Sequence, residues 1–203
     1  PSGPFPPATA ERAVLEQHFM RYLEVGGFPE VQGFSAEDRA ATLREYVDVV
    51  LFRDVVERHG VSNVAPLRHL VRRLTASPAG LLSVNKLYND LRSQGIAVGK
   101  NTLHEYLSLL DSAGFVFPVG AHATSDQARA TRPRKCYLVD PALGRADALR
   151  PSPDIGHLLE NAVYLDLRRR GWQAAYVVTR SGWEVDLVVT RAGRQPLLVQ
   201  VCA

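Results

Sequence analysis

Apolar positions along the chain change period twice. From Glu11 onward Val14, Leu15, Phe19, Tyr22 and Leu23 recur at helical spacing, the pattern of an amphipathic helix. Gly26-Gly27, with Pro29 two positions on, ends it. A second helix is expected from about Ser35, a good N-cap residue, through Leu43, Tyr46, Val47, Val50 and Leu51 toward Val55. Pro66 opens a third in its first turn, with Leu67, Leu70, Val71 and Leu74 on one face. After Ser77-Pro78-Ala79-Gly80 and Leu81-Leu82-Ser83, a short helix carries Val84, Leu87, Tyr88 and Leu91. The next helix places Leu103, Tyr106, Leu107 and Leu110 at i, i+3, i+4 and i+7.

Beyond Gly114 the helical period gives way to strands. Phe115 to Val119 and Lys135 to Asp140 read as a two-stranded hairpin, separated by a loop over residues 121–134. The helical period returns over 155–170 and closes on Arg168-Arg169-Arg170-Gly171, with cations at the negative end of the helix dipole and glycine past it. Three strands are expected after it, Ala175 to Thr179, Trp183 to Val189 and Leu197 to Cys202, joined by turns at Arg180-Ser181-Gly182 and Arg191-Ala192-Gly193-Arg194. The fold class is therefore α+β. Residues 1–10, with four prolines, read as a linker. Residues 11–62 form a helical connector, 63–150 a winged-helix unit with residues 121–134 as the wing, and 151–203 an α/β unit.

Charge sharpens this division. Residues 60–150 hold 12 basic and 6 acidic side chains, whereas residues 1–59 hold 6 basic and 10 acidic ones. Only the middle unit has a surplus that attracts phosphate. A winged helix places the second helix of its pair in the major groove. Lys100, Asn101, His104 and Ser108 occupy the polar side of that helix, and Arg129, Arg132 and Arg134 stand on the wing. Lys100, Asn101, His104, Arg129, Arg132 and Arg134 are thus the candidate contacts to double-stranded DNA.

Several chemistries find no support. The run Gly95 to Thr102 has three residues between its glycines and Asn101 after Lys100, which is not a phosphate loop. The six histidines have no metal-ligand spacing and no G-x-S-x-G motif occurs. Cys136 and Cys202 lie in apolar runs and read as buried free thiols of a reducing compartment. No stretch suits a membrane span or a signal peptide, so a cytoplasmic protein without a membrane partner is expected.

Four motifs follow one another in a suggestive order: Tyr22-Leu23-Glu24-Val25-Gly26-Gly27-Phe28-Pro29-Glu30, Leu51-Phe52-Arg53-Asp54, Lys135-Cys136-Tyr137-Leu138-Val139-Asp140 and Leu158-Leu159-Glu160-Asn161. From about Arg21 to Val201 the chain resembles the C-terminal half of a prokaryotic AAA+-type ATPase. The resemblance implies an ATPase module upstream, the source of any ATP binding, and a domain of unknown function with a PD-(D/E)xK nuclease-like fold over 151–203 that stops before its core is complete. Carried over residue by residue, Glu160 matches the helix acid and Asp186 the central metal-binding acid. Gln200 stands at the second acid's position and Cys202 at the lysine's. Glu160, Asp186 and Gln200 would then hold Mg²⁺ if the site were active. Because Gln200 adds no charge and Cys202 no cation, the expectation is DNA association or partner docking without hydrolysis and without a cofactor in this chain. The rivals are a Mg²⁺-dependent deoxyribonuclease and a purely structural interaction module.

Overall fold

The computed structural model describes residues 9–122, 132–146, 154–179 and 183–202, and its mixture of helices and small antiparallel sheets is of the α+β class. α1 (Thr9–Val25) stops at Gly26, whose φ of +80° closes the helix. A single 3₁₀ turn (Pro29–Val31) leads to α2 (Ala36–Val49). The Ser35 side chain caps α2 by accepting the Asp38 N–H at 3.1 Å. α2 runs on as a π-helix (Val50–Glu57), so the second helical segment exceeds the span its periodicity suggests. α3 (Val64–Ala76), α4 (Val84–Ser93) and α5 (Lys100–Ser112) form the trihelical part of the middle unit. The apolar stripe of α5 is buried throughout, with Leu103, Tyr106, Leu107 and Leu110 in one core with Leu67, Leu70 and Leu74 of α3.

The sheet of this unit has one strand more than the expected hairpin. β1 (Gly80–Leu82), β2 (Val116–Val119) and β3 (Arg134–Leu138) lie in the order β1-β3-β2, both pairings antiparallel. Three residues are too few for a period-2 pattern to show, so β1 has no signature of its own. The wing expected over residues 121–134 falls mostly outside the described residues, and Arg129 with it.

β3 is central to the whole molecule. Side chains alternate across a strand, and here both faces are covered: Cys136 and Leu138 enter the helical core, while Tyr137 enters a second core with Tyr164, Leu165, Leu187 and Val189. That second core belongs to α6 (Ile155–Arg169) and to the sheet β4 (Gln173–Val178), β5 (Glu184–Thr190) and β6 (Leu197–Val199), which is antiparallel throughout. Asn161 of α6, fully buried, ties the layers together. Its Oδ1 accepts the Leu138 N–H at 2.8 Å and its Nδ2 donates to the Leu138 carbonyl at 3.0 Å. Leu138 lies past the end of β1 in the register, so this amide supplies the partners that β1 does not. Beyond β2, Ala121 bridges to Tyr176 of β4, and the His122 N–H reaches the Tyr176 carbonyl at 2.7 Å. A short 3₁₀ helix (Pro141–Arg145) follows β3. No helix among the described residues is long and apolar enough to cross a membrane.

Candidate functional site

Residue alternation on β3 decides what meets the C-terminal unit. Lys135 shares the face of Tyr137, and its side chain, only 4% exposed, ends among three carboxylates. Nζ lies 2.9 Å from Glu160 Oε1, 2.6 Å from Glu184 Oε1 and 3.1 Å from Asp186 Oδ1. An ammonium has three donors, and three acids take them. The Tyr137 hydroxyl donates to Glu160 Oε1 at 2.7 Å, with its ring stacked on Tyr164 at 4.0 Å between centroids. Asp186 Oδ2 accepts the Gln200 Nε2 amide at 2.8 Å and the Val201 N–H at 2.9 Å.

Glu160 and Asp186 thus converge, from a helix and a strand, onto one amine. Gln200 joins them, but with its amide nitrogen toward Asp186; a carboxylate accepts only, so no other orientation makes that bond. Cys202 does not join them. β6 ends at Val199, short of the expected Leu197 to Cys202, so strand alternation no longer carries Cys202 to the face of Gln200, and its thiol is exposed. The expectation of a buried Cys202 is corrected for the same reason. Cys136 is buried as expected, and burial pushes its thiol up to about 12.

The cation of the site is Lys135, which stands 67 positions before Cys202. Its signal was a lysine inside an apolar strand: such a group, once both strand faces are buried, must find acids. Burial alone would lower its pKa, but hydrogen bonds to Glu160 and Glu184 and the charge of Glu160 raise it above the ordinary lysine value. Lys135 is therefore a fixed cation and not a proton acceptor. Tyr137, raised by burial and by the adjacent Glu160, stays a phenol. Glu184, which the nuclease comparison did not single out, closes the cluster from the outside with its side chain 35% exposed.

These residues do not fit a Mg²⁺ ion as arranged. Mg²⁺ takes oxygen ligands in near-octahedral geometry, whereas the three acids face an ammonium and Gln200 presents NH₂. Among the described residues no group of three His, Cys, Asp or Glu has an arrangement that could hold a metal.

The exposed side of α5 brings together part of the residues expected to contact DNA. His104 of α5 lines a depression of about 160 Å³ with Asn85, Arg132 and Arg134, the last two just before and at the start of β3. Burial and the charge of Arg134 lower the His104 pKa. Lys100 and Asn101 are exposed at the start of α5, with the Lys100 ammonium 5.2 Å from the Tyr88 ring centroid. Asp111 of the same helix lies near Arg134; burial raises its pKa, while Arg168 and Arg134 act to lower it. Arg129 is outside the described residues.

The α+β unit with a buried lysine-carboxylate cluster has a family. Residues 16–153 match the family model described as a domain of unknown function, DUF8612, and the chain belongs to that family. Lys135 and Tyr137 fall inside the match, and Glu160, Glu184 and Asp186 fall outside it. The chain is 30% identical over 166 residues to an uncharacterized protein of Methanocaldococcus jannaschii, an alignment covering 81% of this chain and 37% of that protein. It is 24% identical over 163 residues to an uncharacterized protein of Haemophilus influenzae, covering 80% and 41%. The chain thus spans well under half the length of these relatives. No solved structure matches the chain significantly.

Proposed function

We propose that this chain is the duplex-DNA-associating region of an AAA+-type ATPase, and that its nuclease-like residues serve as an ion-pair cluster rather than a hydrolytic centre. The observation that carries the reading is the common depression formed by His104 of α5 with Arg132 and Arg134 at the wing base. A helix and a wing that converge in this way suit a major groove and its adjacent phosphates. The relatives are more than twice as long as the stretch they share with this chain, which leaves room for an ATPase module. Lys135 supports the absence of hydrolysis, since it occupies the centre between the acids a metal would need.

The test is fluorescence anisotropy with a labelled duplex at low salt. Binding is expected, with a linear fall of log K against log salt. Arg132→Ala with Arg134→Ala should weaken it by about tenfold and reduce the salt slope by about 1–2. The same preparation should leave supercoiled plasmid intact with Mg²⁺ or Mn²⁺. No binding to any duplex would overturn the DNA reading, and cleavage abolished by Asp186→Ala would overturn the non-hydrolytic one.

A further inference from the structure

Four arginines from two separate elements converge on a second surface that the winged helix does not use. Arg169 and Arg170 come from the end of α6, and Arg191 and Arg194 from the turn between β5 and β6. With Trp172 and Leu197 they line a cleft of about 730 Å³, open to solvent.

A helix terminus explains only half of this. Cations at the last turn of α6 compensate the helix dipole, and Arg170 also pairs with Asp166 at 2.8 Å. Arg169 is drawn toward Tyr22 and Asp140. Neither cause applies to Arg191 and Arg194, which are exposed on a turn closed by the Arg194 N–H to the Arg191 carbonyl at 3.1 Å. Among the described residues no carboxylate pairs with either, and none lines the cleft. Arg191 and Arg194, exposed side by side without a carboxylate partner, raise a positive potential that a polyanion would relieve.

Trp172 selects among polyanions. It is half-buried, with one side packed against the core of Tyr164, Leu165, Leu187 and Val189 while it also lines the cleft. An indole that lines the same cleft as guanidinium groups is the combination that meets unpaired bases and their phosphates. A free phosphate would need no aromatic surface, and a duplex has no exposed base face to stack.

We propose that this cleft is a contact site for single-stranded nucleic acid, with Arg191 and Arg194 meeting backbone phosphates and Trp172 stacking on a base. The site stands independently of the winged-helix reading, since it uses other residues and another form of nucleic acid.

The experiment uses the full chain and labelled oligothymidylate in low salt, with Trp183→Phe so that Trp172 is the remaining tryptophan of the two. Trp183 is 76% exposed, so its replacement leaves the core alone. Binding should change Trp172 fluorescence, and Arg191→Glu with Arg194→Glu should weaken it by about tenfold or more and flatten the salt dependence. Duplex binding, proposed above to run through Arg132 and Arg134, should change far less. Three results would overturn the proposal: no binding of the oligonucleotide, binding lost in the wing-base variants but kept in the turn variants, or pyrophosphate competing as well as the oligonucleotide does. Both arginines are exposed, and an unchanged circular dichroism spectrum would exclude unfolding as the cause.

Discussion

Lys135 is the residue on which the candidate site turns. Its ammonium satisfies all three donors with carboxylates, two of them nearly buried. Removing one member of a buried ionic set costs more than the set contributes, because the partners keep their charge without compensation. Lys135→Met should therefore destabilise the chain by about 3 kcal/mol in urea denaturation, the low end for a buried pair because Glu184 remains partly solvated. Adding Glu160→Gln should restore part of the loss, a coupling that two independent effects would not show. The pH dependence has a definite sign. The folded pKa of Lys135 is raised, so its contribution is complete below the unfolded value and is lost as pH climbs through the folded one. The gap between wild type and Lys135→Met should stay constant from about pH 7 to 9 and narrow only above about pH 10. Glu160 and Asp186 drew notice in the sequence through a nuclease-like resemblance, and in the fold both meet Lys135. Lys135 itself was not legible in the sequence, since its partners lie 25 and 51 positions away on elements that meet it only after β3 is sandwiched.

At the scale of elements, periodicity identified the segments that bury a continuous stripe, and it failed where burial is not continuous. α5 hides every position its pattern marked. α1 does not: Val14, Leu15 and Phe19 remain 39–50% exposed although they recur at helical spacing, and Leu23 and Val25 are its buried members. The anchor of α1 is instead its C-terminal turn. The Gly27 N–H donates to Asp140 Oδ2 at 2.7 Å, and Asp140 Oδ1 accepts from Ala142 at 2.8 Å. A Cβ on Gly26 would sit 2.1 Å from Asp140 Oδ1 and 2.5 Å from the Ala142 Cβ, at a φ of +80°. Gly26→Ala should then combine the left-handed backbone cost with overpacking, about 3 kcal/mol together. Gly60→Ala is the matched control: its φ is +63° but nothing lies within 4 Å. It should cost only the backbone component, about 1–2 kcal/mol. Equal losses in the two variants, measured by thermal or chemical denaturation, would show that the close approach of α1 to Asp140 is not what holds the helix end.

For the molecule as a whole, the decisive fact is that one strand serves two cores. Cys136 and Leu138 of β3 pack with the helices, while Lys135 and Tyr137 meet α6 and β5, and Asn161 hydrogen-bonds the Leu138 backbone through both of its polar atoms. Neither unit can then lose its packing without exposing charged or unpaired groups of the other, so their unfolding should be coupled. Both tryptophans, Trp172 and Trp183, belong to the C-terminal unit, whereas most helical residues lie before it. Tryptophan fluorescence and far-ultraviolet circular dichroism therefore report on different units of the same chain. In the wild type the two denaturation curves should coincide. In Asn161→Ala, which leaves the Leu138 N–H and carbonyl without that partner, the fluorescence midpoint should move to lower denaturant than the dichroism midpoint, because the contacts that carry the coupling are weakened while the helical core is untouched. Curves that separate already in the wild type would mean that β3 joins two units that fold alone, and the lysine cluster would then be a local feature of the C-terminal sheet rather than a bond between the two.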